Sequence, residues 1–382
     1  IWQDCLNVIG GTKFSTADLP PDTRNPQNIE LSAKVGAKWV WPLACVAKTE
    51  VDPADPSRTI AHLQMPYNAL AQNMDWGTAY SRTNTHVIYN VFEHLEKPGD
   101  FYFDEANKTL YYIPRAGESM ESAEVIIPEL VHLIDIGGNV EHGSYVTNIT
   151  FSGLTFSHAD WKLYKMGDSY GYSTVQTCTM FTAIANGNWH LDMYRSYDVV
   201  PSAITVNKAK NIRFLDGGIS FTGANGLHLE NDVWDCEVTG NFINRVGHAG
   251  VVVGHPQHLF ENDPENYVVS GSPRAGTDKE KFPRGTESVP RNIYVTNNFF
   301  YKTGYLFKNN NNFAAFFVQN LQVLHNFFFD VPCSAIMVGW GWWEFDGTSR
   351  SRLPGIPTNT SFNNKVSYNR IENYCMNVDD AG

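Results

Sequence analysis

The run Asn292-Ile-Tyr-Val-Thr-Asn-Asn-Phe-Phe300 decides the fold, because the chain repeats it. Beside it stand Asn211-Ile-Arg-Phe-Leu-Asp-Gly-Gly-Ile219, Asp235-Cys-Glu-Val-Thr-Gly-Asn-Phe-Ile243, Asn320-Leu-Gln-Val-Leu-His-Asn-Phe-Phe328 and Asn363-Asn-Lys-Val-Ser-Tyr-Asn-Arg-Ile371. Each copy opens with Asn or Asp and places an apolar residue three positions on. Gly or Asn occupies the seventh position (Gly217, Asn241, Asn298, Asn326, Asn369), and another apolar residue follows two later. An earlier copy begins at Asn148. A second set of apolar runs belongs to the same pattern: Gly226-Leu-His-Leu, Gly250-Val-Val-Val, Ala315-Phe-Phe-Val and Ala335-Ile-Met-Val.

Working outward, the copies return after 24 residues (211 to 235) or 28 (292 to 320). Short strands between Asn and Gly turns cannot bury a face alone, so they must stack as successive coils. Strands in neighbouring coils then pair in parallel, about 4.8 Å apart, and equivalent residues line one interior. The expectation is a parallel β-helix over 146–382, with Phe214, Val238, Val295, Val323 and Val366 in a single inner column. Period-2 patterning, β-branched residues and the 35 Asn weigh against a helical repeat.

Residues 1–145 lack the repeat and read as a β-rich accessory unit, with a β-sandwich as its candidate form. A hairpin is predicted in Asp100–Pro114 with its turn at Asp104–Thr109, and a strand at Glu124–Pro128. The chain looks cut at its start and truncated at its C-terminal end. The net charge of −12 argues against nucleic acid as a partner, and the absence of a long apolar run argues against a membrane span. Six Cys show no metal-finger spacing, so no metal or other cofactor is expected, and Cys333 and Cys375 read as stacked thiols of neighbouring coils.

Two repeats are stretched by insertions, about 255–291 and 340–362, and both leave after the second apolar run. Loops leaving one edge of a solenoid wall a groove, and binding residues concentrate on such loops. At that edge the sequence places His255 at the root of the first insertion, Gln319 in a nearby column of a later coil, and Trp340 and Trp342 within Gly339-Trp-Gly-Trp-Trp-Glu-Phe-Asp346. Exposed Trp faces suit sugar rings, whereas His255 and Gln319 suit hydroxyl groups. Glu344 and Asp346 lie one coil below Asp380, and separations of about 5 to 9 Å between them are attainable, as glycoside hydrolysis requires. No Arg or Lys is expected in the groove-edge column.

Three segments, Asn90–Arg115, Ile149–Trp161 and Gly339–Trp342, occur in an order that resembles right-handed parallel β-helix carbohydrate-active proteins, those like glycoside hydrolase family 141. The resemblance covers roughly residues 38–382. It implies that Asp380 is a catalytic carboxylate, since Asp380-Ala381-Gly382 matches the first and third positions of the family's Asp-Gly-Gly-X-Ile-Tyr motif. It further implies a secreted glycosidase whose partner is a polysaccharide or oligosaccharide substrate. Two other readings stay open: a Ca²⁺-dependent polysaccharide lyase, and a non-catalytic glycan-binding or adhesive β-helix.

Overall fold

The computed structural model describes residues 11–33, 41–64, 86–139, 142–163, 171–175, 177–185, 188–192, 200–254, 289–339 and 361–378. By compactness the chain forms two units: 1–126 with 163–173 and 181–191, and 127–162 with 174–180 and 192–382.

The second unit is a right-handed parallel β-helix. Three parallel sheets of six strands run its length. The first sheet holds Ile134–Gly137, Ser202–Asn207, Asn225–Leu229, Val251–Val253, Phe313–Ala315 and Ile336–Val338. The second holds Val146–Ser152, Ala209–Leu215, Val233–Thr239, Arg291–Thr296, Gln319–Leu324 and Lys365–Ser367. The third holds Thr155–Ala159, Gly218–Thr222, Phe242–Val246, Phe299–Tyr301, Phe327–Phe329 and Arg370–Glu372. Each coil visits the sheets in that order. The solenoid therefore begins at Ile134, ahead of the boundary at 145/146 that the repeats suggested.

Register confirms the expected inner column: Phe214 pairs with Val238, Val238 with Val295, Val295 with Val323, and Val323 with Val366. Phe151 extends it by one coil, its ring stacked on Phe214 at 5.0 Å. In the third sheet Phe300 stacks on Phe328 at 4.3 Å inside the core. The seventh-position residues form a buried ladder. Asn298 Oδ1 accepts from the Asn241 backbone N–H at 2.9 Å, Asn326 Oδ1 from Asn298 at 3.0 Å, and Asn369 Oδ1 from Asn326 at 2.9 Å. Each Nδ2 donates in turn to a carbonyl of the preceding coil, Phe214, Val238, Val295 and Val323 respectively.

The opening Asn or Asp of each copy has a separate cause. Asn148, Asn211, Asp235, Asn292, Asn320 and Asn363 all have φ between 53° and 63°, a left-handed conformation that Asn and Asp tolerate better than most side chains. Left-handed residues recur five and ten positions later in every coil, as at Asn292, Asn297 and Lys302. The first of these bends lies at the head of the second-sheet strand, the second at the corner between the second and third sheets, and the third at the end of the third-sheet strand.

Two expectations are corrected. In the fifth coil the first-sheet strand is Phe313–Ala315, which pairs with Val251–Val253, so the run Phe316–Val318 turns the corner instead. Small Ala314 and Ala315, fully buried on the two faces of that strand, fit where bulkier residues were expected. The segment Glu124–Pro128 forms no strand. Its apolar side chains are exposed, because β-propensity makes a segment extended while a strand also needs a partner for its backbone groups.

The first unit contains a five-stranded antiparallel sheet in the order Thr12–Ser15, Arg58–Leu63, Leu43–Val51, Glu30–Ala33, His86–Tyr89. Phe14, Leu19, Ile29, Leu31, Val46 and Leu63 belong to its core. The predicted hairpin is present as Phe101–Asp104 against Thr109–Tyr112, closed by Asp104, which accepts from the backbone N–H and the amide of Asn107 at 3.0 and 2.9 Å. Among the described residues no helix is long and apolar enough to cross a membrane.

Candidate functional site

Both insertions connect a first-sheet strand to a second-sheet strand: one leaves after Gly254 and returns before Arg291, the other leaves after Gly339 and returns before Lys365. The corner between those two sheets is the candidate site. Asp380, Glu344, Asp346, His255, Trp340 and Trp342 lie outside the described residues. Gln319 is described, 7% exposed at the head of its strand, with its backbone N–H donating to the Pro290 carbonyl at 2.9 Å.

Register gives Gln319 its neighbours. It pairs with Arg291 on one side and bridges to Phe362 on the other; Arg291 pairs with Trp234, Trp234 with Lys210, and Lys210 with Thr147. The groove-edge column therefore does contain basic residues, Lys210 and Arg291, contrary to the sequence expectation. The sequence expectation took the column from the ends of the second apolar runs, whereas the register takes it from the residue before each opening Asn or Asp, where Lys210, Trp234, Arg291 and Gln319 align.

The cations are braced on aromatic rings. Lys210 Nζ lies 3.8 Å from the Tyr145 ring centre and 3.9 Å from that of Trp234, and Arg291 Cζ lies 4.0 Å from Trp234. Lys208 Nζ approaches Tyr145 at 4.6 Å and pairs with Asp232 at 3.5 Å. Ring quadrupoles attract such cations by about 0.5–2 kcal/mol each, which fixes their heads without neutralising them. Among the described residues neither Lys210 nor Arg291 has a carboxylate partner.

The polar groups of the corner are partly committed and partly not. Glu230 accepts from Asn207 Nδ2 at 2.8 Å and lies 3.6 Å from His228 Nδ1. His228 Nε2 donates to the Gly254 carbonyl at 2.8 Å, pinning the root of the first insertion. Asn231 is 4% exposed and, among the described residues, neither of its amide atoms has a partner; Trp234 Nε1 and Arg291 Nε are likewise buried without one. A buried unpaired polar group costs about 1–3 kcal/mol, so such a cluster suits a site that a bound polar molecule completes.

Sequence reasoning missed Lys210, Trp234 and Arg291, although the signal was available. Each lies one residue before the Asn or Asp that opens its copy, or begins the strand that carries it, and so shares the outer column with Gln319. It also missed Glu230 and Asp232, two carboxylates two residues apart in the same corner. Among the described residues no cluster of three or more His, Cys, Asp and Glu is arranged to hold a metal ion.

No protein-family model matches the chain, and no curated protein matches it. A solved structure described as "Glycoside hydrolase" is similar in fold, with a TM-score of 0.64 at 20% identity, covering 86% of this chain and 54% of that one. This chain spans about half the length of that protein.

Proposed function

We propose that the chain is a carbohydrate-active protein of the glycoside hydrolase type, acting outside the cell on a polysaccharide or oligosaccharide laid along the corner between the first and second sheets. The observation that carries this reading is the likeness of the fold to a structure described as a glycoside hydrolase. The corner from which both insertions leave agrees with it, since an aromatic and hydrogen-bonding column through Trp234 and Gln319 runs there. In this reading Asp380 is the nucleophile or base and Glu344 or Asp346 its partner acid, while His255, Gln319, Trp340 and Trp342 hold sugar rings and hydroxyls. The region 1–145 is accessory.

The test is hydrolysis of a panel of aryl glycosides and plant-polysaccharide oligomers by the wild type and by Asp380→Asn. An amide keeps the shape of the carboxylate but neither attacks an anomeric carbon nor accepts a proton, so turnover should fall by about 10² or more with little change in melting temperature. Retention of more than about a tenth of the activity would remove Asp380 from the chemistry.

One observation favours a second reading. Lys210 and Arg291 supply the basic side chains that elimination across a uronate requires, so release of unsaturated products absorbing in the near ultraviolet would assign a lyase instead.

A further inference from the structure

We propose that Lys210 and Arg291, braced on either side of Trp234, each bind a carboxylate of an acidic glycan, so that the glycan bound at this corner carries uronate residues. The inference deepens the reading above as to substrate class and rests on it for the glycan itself.

Three observations lead there. First, two cations from coils on either side of Trp234 converge on one ring, at 3.9 and 4.0 Å, and neither has a carboxylate partner among the described residues. In a chain with 40 acidic against 28 basic residues, intramolecular partners are abundant, so two neighbouring cations without a carboxylate partner among the described residues are not a consequence of composition. Second, carboxylates of the same corner are already engaged: Asp232 with Lys208, Glu230 with Asn207, and Asp235 with Asn292. The corner therefore keeps positive charge at Lys210 and Arg291 while its acids are held elsewhere. Third, the same corner carries the unpartnered amide of Asn231 and the unpartnered Arg291 Nε and Trp234 Nε1.

The chemistry favours a carboxylate over other anions. A guanidinium presents its donors in a planar fork that matches the two oxygens of a carboxylate, and a ring at its back orients that fork while leaving its edge available. Lys210 adds a point charge without directional demand. A neutral glycan would leave both cations and their donors unused, whereas the carboxylates of successive uronates can engage each of them. The net charge of −12 opposes long-range attraction of a polyanion, but it is screened beyond about 8 Å at physiological ionic strength and does not set affinity at contact.

The test is calorimetric binding of oligogalacturonates to the full chain, against the same oligomers methyl-esterified and against sulfated oligosaccharides of equal length. The wild type should bind the free acid at least tenfold more tightly than the ester. Arg291→Gln and Lys210→Gln should each lose most of that preference and bind acid and ester alike, and Arg291→Lys should retain part of it by keeping charge without the fork. Melting temperatures check that each variant is folded; Lys210→Gln, on a half-buried side chain without hydrogen bonds to lose, serves if Arg291→Gln does not fold. Equal wild-type affinity for acid and ester overturns the proposal, and so does tighter binding of the sulfated series. Hydrolysis of neutral aryl glycosides separates this outcome from the fate of the glycosidase reading. Hydrolysis without acid preference removes the subsite alone, and acid preference without hydrolysis removes the glycosidase alone.

Discussion

At the scale of single residues, the histidines show how burial and role diverge. His248 sits fully buried where the third sheet turns into the first, its Nδ1–H donating to Asn225 Oδ1 at 2.7 Å. Its Nε2 is buried with no partner, so a proton there would have no acceptor, and burial pushes the imidazole pKa down to about 3. The unfolded chain, with an ordinary value near 6.5, takes up the proton first as pH falls. This contribution to stability is therefore complete above about pH 6.5 and is lost progressively as pH falls towards 3, by about 1.4 kcal/mol per unit within that window. His248→Gln should remove that slope, so the wild type and variant, unfolded by urea from pH 7 to 4, should diverge in pH dependence. Parallel curves would show that His248 does not carry it. The sequence shows His248 only as a histidine ahead of an apolar run. What it could not show was the neutral state, which depends on burial and on a partner, Asn225, that belongs to the preceding coil.

At the scale of elements, the corner ladder is where sequence and structure agree most closely. The alternation that places Val295 inward and the Asn that recurs at the seventh position were both readable, because each is a local pattern with one physical cause. The left-handed bends at five-residue intervals were not read, since Lys302, Arg245 and Phe221 occupy bend positions whose residue types give no sign of positive φ. The strand shift at Phe313–Ala315 was missed for a related reason: two adjacent apolar runs compete, and only the register with Val251–Val253 chooses between them. For the ladder itself we expect Asn298→Ala to cost on the order of 3 kcal/mol, because it leaves the Asn241 N–H and the Val238 carbonyl buried without partners. Gly217, which fills the same position one rung earlier, shows that a rung can lack a side chain only at the ladder's start, where its N–H still donates to Asn241. Denaturation midpoints of the Asn298 variant decide this, and a loss below about 0.5 kcal/mol would mean that water replaces the rung.

At the scale of the whole solenoid, stability is set by contacts between neighbouring coils, since each coil touches only the one before and the one after. One inner column samples this directly. Val295 is fully buried between Val238 and Val323, whereas Val366, in the same column of the last described coil, is 46% exposed. Truncating Val295 removes two methyl groups from a close-packed interior and leaves a cavity that the coils above and below cannot both close, which should cost about 2 kcal/mol or more. Truncating Val366 removes groups that already meet solvent on one side, so Val366→Ala should cost well under half as much. The same gradient should appear in amide exchange, with the strand Arg291–Thr296 exchanging only on global unfolding and Lys365–Ser367 exchanging through local opening of its coil. Measuring both variants by urea denaturation and both strands by hydrogen exchange tests the two ends of one argument. Equal costs at Val295 and Val366, with equal protection of their strands, would mean that the solenoid unfolds as one block in which position along the stack does not matter.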